Sequence, residues 1–227
     1  MQRLVCRANT MIDILIPSLN RPQRLPALIA NLHATTKFPH KLHFAISDVE
    51  SARILQLAGE NYVMDCGEPP ESTFGNRCNR LYLLGNMPFV YTVGDDDEHL
   101  DGWDTYMLAK FVPGIELVIS KCNHMTMMTR NYIETQSGCV DIPNVIYGPY
   151  AHNYTELELC CTAKMRGVAA WCNVPTVIHH RHVGNGDCCV GDFEHDDTYK
   201  RGDDTFAEDE RLFQQREAAY FSGNRYW

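Results

Sequence analysis

An alternation of strand and helix constrains this fold more than any other feature. Between residues 11 and 94, the runs MIDILIPS, KLHFAIS, NYVMD and PFVYTV have the length and the β-branched and aromatic content of strands. A helix-like segment follows each of the first three. Leu25, Leu28, Ile29 and Leu32 recur at spacings of three, four and seven, one helical face, with Asn20 as the expected cap and Pro22 in the first turn. A second helix is expected from about Glu50 to Ala58, and a third over 73–85, stopping at Gly85. Regular alternation of this kind predicts βαβ units and a mostly parallel sheet flanked by helices, an α/β Rossmann-type fold. In such sheets ligands bind beyond the carboxyl ends of the strands.

The fourth strand runs straight into GDDDEHLDGWD, residues 94–104. Carboxylates packed so closely repel one another, and at the end of a buried strand water offsets only part of that repulsion. A calcium loop starting at Asp97 fits at Asp101 and Gly102. It fails at His99 and again at Leu108, where a bidentate Glu is needed. A solvated acidic turn remains open. So does a site in which an Asp-x-Asp pair holds Mg²⁺ or Mn²⁺ against a diphosphate.

The second half is less regular. ELVISK and HMTMMTRNYI read as two strands, GCVDIPNVIYGPYAHNY as loop, 156–166 as a helix and VPTVIHHRHV as a strand. Residues 184–205 are rich in Gly and Asp and read as a loop, and 206–221 as a final helix. Residues 1–10 read as a loose leader ahead of Met11.

Bulk properties exclude several classes. At 227 residues with 44% hydrophobic and 22% charged content, the chain suits one domain with a real core. No apolar window approaches the roughly 18 residues of a membrane span, so the chain reads as cytoplasmic, with no membrane partner. A net charge of −9 gives no overall pull toward nucleic acid. The ten cysteines include no C-x-x-C pair and are expected as reduced thiols.

Two further groupings carry possible chemistry. In NYTELELCCTAKMRG, Thr155 and Glu158 have capping-box spacing, which gives Glu158 a structural task. Glu156 would then sit in the first helical turn, where the helix dipole favours its ionised form and it could serve as a general base. In VIHHRHV, His180 and His182 share one strand face and could lend an imidazole to a metal, or simply be solvated.

Taken in order, ILIPSLNRPQRLPALIANL, GNRCNRLYLLGNMPFVYTVGDDDEHLDGW and TELELCCTAKMRGVAAWCNVPTVIHHRH resemble the family 2 glycosyltransferases, which have the GT-A fold. The resemblance covers roughly residues 11–183 and extends to compact, bacteriophage-encoded members. It implies a nucleotide-sugar-binding half at 11–104, an acceptor-side half of the same domain at 105–183, and an acidic loop with a C-terminal helix at 184–227. It also implies a metal-dependent, inverting hexosyl- or pentosyltransferase that uses Mn²⁺ or Mg²⁺ and a nucleotide-sugar, most commonly a UDP-sugar. Pro17, Asn20, Asp48, Arg77, Asn79, Asp95 and Asp96 are then expected at the donor. Asp97, with His180 or His182, is expected at the metal, and Glu156 as the catalytic base. The family's Glu-Asp pair at that helix is here Thr155-Glu156, which leaves Glu158 as a rival base. The hydroxyl acceptor is unknown, and a hydroxylated DNA base, as in phage-type modification, is one alternative. Others are a nucleotidyltransferase, although the PSLNRPQR turn lacks the glycine such enzymes use to cradle a triphosphate, and a non-catalytic nucleotide- or metal-binding module. The Gly- and Asp-rich segment after the histidines could act as a lid over a bound donor.

Overall fold

The computed structural model describes residues 10–67, 72–120, 125–180, 189–190 and 197–223. The first strand, β1 (Ile12–Pro17), is buried along its whole length. A 3-10 turn at Pro22–Arg24 leads into α1 (Leu25–Thr35), and β2 (His40–Ile46), α2 (Val49–Ala58) and β3 (Asn61–Met64) follow. Next come α3 (Phe74–Leu84) and β4 (Phe89–Thr92). Strands β3, β2, β1 and β4 are hydrogen-bonded in that order, and all are parallel, the sense that the alternation predicts.

Beyond β4 the chain turns into a short strand, β5 (Asp97–His99), and then α4 (Trp103–Leu108). β6 (Leu117–Ser120) and β7 (Thr126–Thr129) extend the main sheet, β7 running antiparallel to both β4 and β6. The expected strand over NYI is instead helix α5 (Arg130–Gln136). Thr129 caps it by accepting a hydrogen bond from the Tyr132 backbone N–H, which ends the strand there. After α6 (Thr155–Met165), β8 (Ala169–Cys172) closes the seven-stranded sheet beside β6. A second sheet joins β5 to β9 (Val177–His180) and β10 (Cys189–Val190). The last helix, α7, spans Asp197–Arg216, so it starts inside the stretch expected to be loop, and it runs on as a π-helical turn to Phe221.

The pleat of β1 explains the two main cores. Ile12, Ile14 and Ile16 face one side with Leu25, Leu32 and Trp103, while Leu15 faces the other with Cys78, Leu81 and Leu159. A sheet covered on both faces needs continuous apolar strands, which is why β1 reads as an unbroken run. Its one charge, Asp13, is fully buried and fully answered. Oδ1 lies 2.9 Å from His43 Nε2, and Oδ2 accepts from the Met87 N–H and from Arg130 Nη2. Those bonds outweigh the cost of burial and hold the Asp13 carboxyl below the usual range.

Two helix ends differ in cause from the sequence expectation. Gly85 does follow α3, but its backbone is extended, not left-handed. A Cβ there would collide with the Asp13 carboxylate, so the glycine serves close packing. Asn20 caps no helix. It lies at φ 51° and exchanges hydrogen bonds with Ser47, so it ties the turn after β1 to the end of β2.

Candidate active site

The site forms where β1, β2 and β4 end. After Thr92 the chain passes through Gly94, where a Cβ would come within 2.7 Å of Asp96 Oδ1 and 3.0 Å of Asp97 Oδ2. The glycine gives the Asp96 and Asp97 carboxylates room to turn back on the strand end. Asp95 and Asp97 are buried, at 6% and 5% exposure. Asp95 accepts a hydrogen bond from Ser18 Oγ at 2.7 Å and one from Arg21 Nη1 at 2.6 Å. Arg24 stands 3.9 Å from Asp95 and 3.7 Å from Asp96. Arg21 and Arg24 begin the helical segment after β1, so the acidic cluster is offset by cations from the first βα connection. Burial raises the Asp95 carboxyl, the Arg21 charge opposes it and the Asp96 charge adds to it, leaving it at about 6.

Asp97 is held differently. Its Oδ2 accepts from the Gly94 N–H at 2.8 Å, and its backbone pairs with His179 on β9. The Asn31 side chain bonds both the N–H and the C=O of His99, anchoring β5 to α1. His99 itself is core. Burial depresses its imidazole to about 3, so it is neutral, packed between Tyr91 and Trp103.

The other expected donor-side residues surround this point. Pro17 ends β1. Asp48 caps α2, accepting from the Ser51 N–H and hydroxyl. Arg77 is buried and donates to Ser72 Oγ, the Ser18 carbonyl and the Asp65 carbonyl, tying the start of α3 to the ends of β1 and β3. Asn79 bonds the backbone at Ile146 and Tyr147, on the loop that leads toward α6. Ser18, Arg21, Arg24 and Asp65 did not stand out in the sequence. The arginines of SLNRPQR were visible there, but pairing them with aspartates some seventy residues away requires the fold.

The N-terminus of α6 comes to the same rim. A Cβ on Gly75, at the start of α3, would meet Tyr147, the Gly148 carbonyl and Thr155 within 3.1–3.3 Å. The expected capping box is absent. Tyr154 is the N-cap, in the left-handed region at φ 64°, and Thr155 already lies in the helix with its hydroxyl donating to the His152 carbonyl. Glu158 is fully buried. It accepts Arg216 Nε and Nη2 at 2.7 Å, one on each oxygen, and the Tyr150 hydroxyl at 2.6 Å. Glu156 is half-buried in the first turn. Its charge reaches Tyr147 and Cys78, adding to the burial that raises both well above their usual ranges. The Tyr147 hydroxyl hydrogen-bonds Thr92 Oγ1 at 2.6 Å, so the Glu156 side of α6 faces the strand that carries the aspartates.

Among the described residues no three His, Cys, Asp or Glu side chains gather as a metal-holding group. His182 lies outside the described residues, and at His180 only the backbone is described. Buried oxygen donors at a strand end suit Mg²⁺ or Mn²⁺, which take one or two protein carboxylates and fill the remaining positions with phosphate oxygens and water. The six described cysteines are free, and all but Cys66 are buried. No described helix is long and apolar enough to cross a membrane.

This architecture, a mostly parallel sheet flanked by helices with acidic groups at its carboxyl edge and a small second sheet, is the GT-A fold of glycosyltransferases. Among solved structures the chain is similar to glucosyl-3-phosphoglycerate synthase from Mycobacterium tuberculosis. The complex of that protein with Mn²⁺, UDP and glucosyl-3-phosphoglycerate superposes with a TM-score of 0.57 at 14% identity, over 77% of this chain and 74% of that one. Its complex with Mn²⁺, UDP and phosphoglyceric acid gives 0.58 at 14% identity, over 77% and 72%. Its complex with Mg²⁺ and UDP gives 0.56 at 14%, over 77% and 73%. At that identity the likeness shows the fold alone. No family model and no curated protein matches the sequence.

Proposed function

We propose that this chain is a metal-dependent, inverting glycosyltransferase that moves a sugar from a nucleotide-sugar, a UDP-sugar, to a hydroxyl acceptor. One observation carries this reading. Two buried aspartates two residues apart close the carboxyl edge of the parallel sheet, and the first turn of α6 carries Glu156, whose charge reaches Tyr147, the hydrogen-bond partner of Thr92 at the end of β4. The solved neighbours with this fold include complexes with Mn²⁺ or Mg²⁺ and UDP, which supports the choice of nucleotide and cation.

In this reading Pro17, Asn20 and Asp48 line the nucleoside pocket. Asp95, oriented by Ser18 and Arg21, and its neighbour Asp96 meet the ribose and the transferred sugar. Arg77 and Asn79 act through the elements they tie together, because their polar groups bond Ser18, Ser72, Asp65, Ile146 and Tyr147. Asp97 and one of His180 and His182 would hold the cation, whose positive charge stabilises the diphosphate as it leaves. Glu156 accepts the acceptor hydroxyl's proton while that oxygen bonds the anomeric carbon and the bond from that carbon to the diphosphate oxygen breaks. One in-line displacement inverts the anomeric centre. Glu158 is unsuited to the task, since Arg216 holds both its oxygens. Turnover of UDP-glucose and other UDP-sugars, measured as UDP release with and without Mn²⁺, tests the proposal. Release that needs the metal and is lost in Glu156→Gln supports it, and release that survives Glu156→Gln sinks the base assignment.

A further inference from the structure

The C-terminal helix has a composition that suggests a solvated surface, yet three of its side chains are buried. Asp209, Phe213 and Arg216 recur at i, i+4 and i+7, one face of α7, and are 2%, 2% and 8% exposed. Each touches a different part of the entrance to α6. Asp209 accepts from the consecutive backbone N–H groups of Ala151, His152 and Asn153 at 2.8–2.9 Å. Phe213 stacks on Tyr154, with ring centroids 5.0 Å apart. Arg216 holds Glu158 with two bonds and reaches Asp141 with two more. The third core cluster, Tyr150, Cys161, Phe213 and Phe221, fills the space between these contacts.

These contacts fix both where α6 begins and how it is rotated. Its N-cap, Tyr154, offers no side-chain cap and sits in the left-handed region, a costly place for a non-glycine residue. The Asp209 carboxylate braces that turn from outside the helix, accepting from the three consecutive backbone N–H groups that precede the N-cap. On a helix, positions two apart point about 200° away from each other. Arg216, by drawing Glu158 toward α7, therefore turns Glu156 to the opposite side, where its charge meets Tyr147 and Cys78.

We infer that Asp209, Phe213 and Arg216 are positioning residues. They set the register and rotation of the first turn of α6, and so the placement of Glu156, without touching the reacting atoms. The catalytic consequence rests on the transferase reading above, while the clamp itself does not.

The experiment uses the full chain with Asp209→Asn and Asp141→Asn. The second substitution, at a partly exposed partner of Arg216, retains the fold should the first fail to fold. Three quantities are measured: hydrogen–deuterium exchange, affinity for UDP with Mn²⁺, and kcat and KM for UDP release from UDP-glucose. The expected result is faster exchange confined to residues 151–158, unchanged UDP affinity and donor KM, and a kcat at least tenfold lower for Asp209→Asn and less reduced for Asp141→Asn. The pH at which kcat reaches half its maximum should also move, because the environment of Glu156 has changed. A purely structural role would lower the melting temperature and leave kcat and its pH profile where they were, which would overturn the inference. Unchanged exchange at 151–158 in both variants would overturn the clamp directly. Localised faster exchange combined with a wild-type chain that releases no UDP from any UDP-sugar would leave the clamp standing and overturn the transferase reading and the catalytic role together.

Discussion

The two halves of this molecule are held together by different means. The half built on β1 to β4 is a parallel sheet packed mainly through apolar side chains, with one buried charge cluster at Asp13 and its candidate site where the strands stop. The half built on α6 and α7 adds to a small apolar core a set of charge pairs and hydrogen bonds between residues far apart in the chain: Arg216 with Glu158 and Asp141, and Asp209 with three backbone N–H groups. Burial of apolar strands tolerates small rearrangements, whereas a desolvated charge left without its partner does not. In the proposed mechanism the same contrast separates a donor half that binds from an acceptor-side half that aims a base.

The comparison is sharpened most by Glu156→Gln. UDP release should fall by about 10²–10⁴-fold, the range for loss of a general base, while UDP affinity with Mn²⁺ remains. Loss of both together would mean that the halves do not divide binding from chemistry. Arg216→Ala leaves Glu158 fully buried without its cation and should cost about 3–5 kcal/mol in urea-induced unfolding. Leu15→Ala, in the core that β1 shares with α3 and α6, should cost about 2–5 kcal/mol, because the cavity closes only in part. If Arg216→Ala proved the milder of the two, the charge pairs would not be what holds the second half.

The pH dependence differs in sign between Asp95 and Asp141. Asp95, raised by burial, is ionised only above about 6, so affinity for UDP with Mn²⁺ should fall as pH is lowered through 6, as read by calorimetry. Without ligand the same shift means that the Asp95 contribution to stability is present at low pH and is lost as pH rises from the ordinary carboxylate value through 6. Asp141 is lowered, chiefly by its hydrogen bonds from Arg216. Its contribution is present above the ordinary carboxylate value and is lost as pH falls below it, as is that of Asp13, so acid should weaken both the Arg216 contact and β1. The smallest effect is expected at Thr73, whose hydroxyl oxygen caps α3. Thr73→Ala should cost about 1 kcal/mol in thermal unfolding.

Legibility in the sequence follows the same division. A strand buried on both faces is mostly apolar, so β1, β2 and β4 are legible, and with them the parallel sense and the rim of aspartates, whereas the strand order and the role of Asp13 are not. Asp48 and Asp95 to Asp97 could be placed because strand ends are readable. The contacts that answer those charges could not, since Ser18, Arg21 and Arg24 are ordinary turn residues until β1 and β4 lie side by side. In the second half the signal misled. Thr155 and Glu158 have capping-box spacing, but Glu158 is turned away to Arg216, 58 residues on, and the turn before the helix is braced by Asp209. The charged residues of α7 resemble a solvated face, because local composition cannot distinguish a carboxylate facing water from one facing three backbone N–H groups. The β-forming content of HMTMMTRNYI suggests strand to its end, whereas the Thr129 cap turns NYI to helix.

The central claim is that the carboxyl edge of the sheet binds a nucleoside diphosphate through a divalent cation held by Asp97. Its most direct test is the thermal unfolding of the wild-type chain and of Asp97→Asn with UDP, each with and without Mn²⁺. At a UDP concentration about a hundredfold above its Kd, binding should add about 2.7 kcal/mol, a rise of several degrees for a chain of this size. The expected result is a rise in the wild type that needs both UDP and Mn²⁺ and is absent in Asp97→Asn. A rise that needs no metal, or one that persists in Asp97→Asn, would contradict the claim.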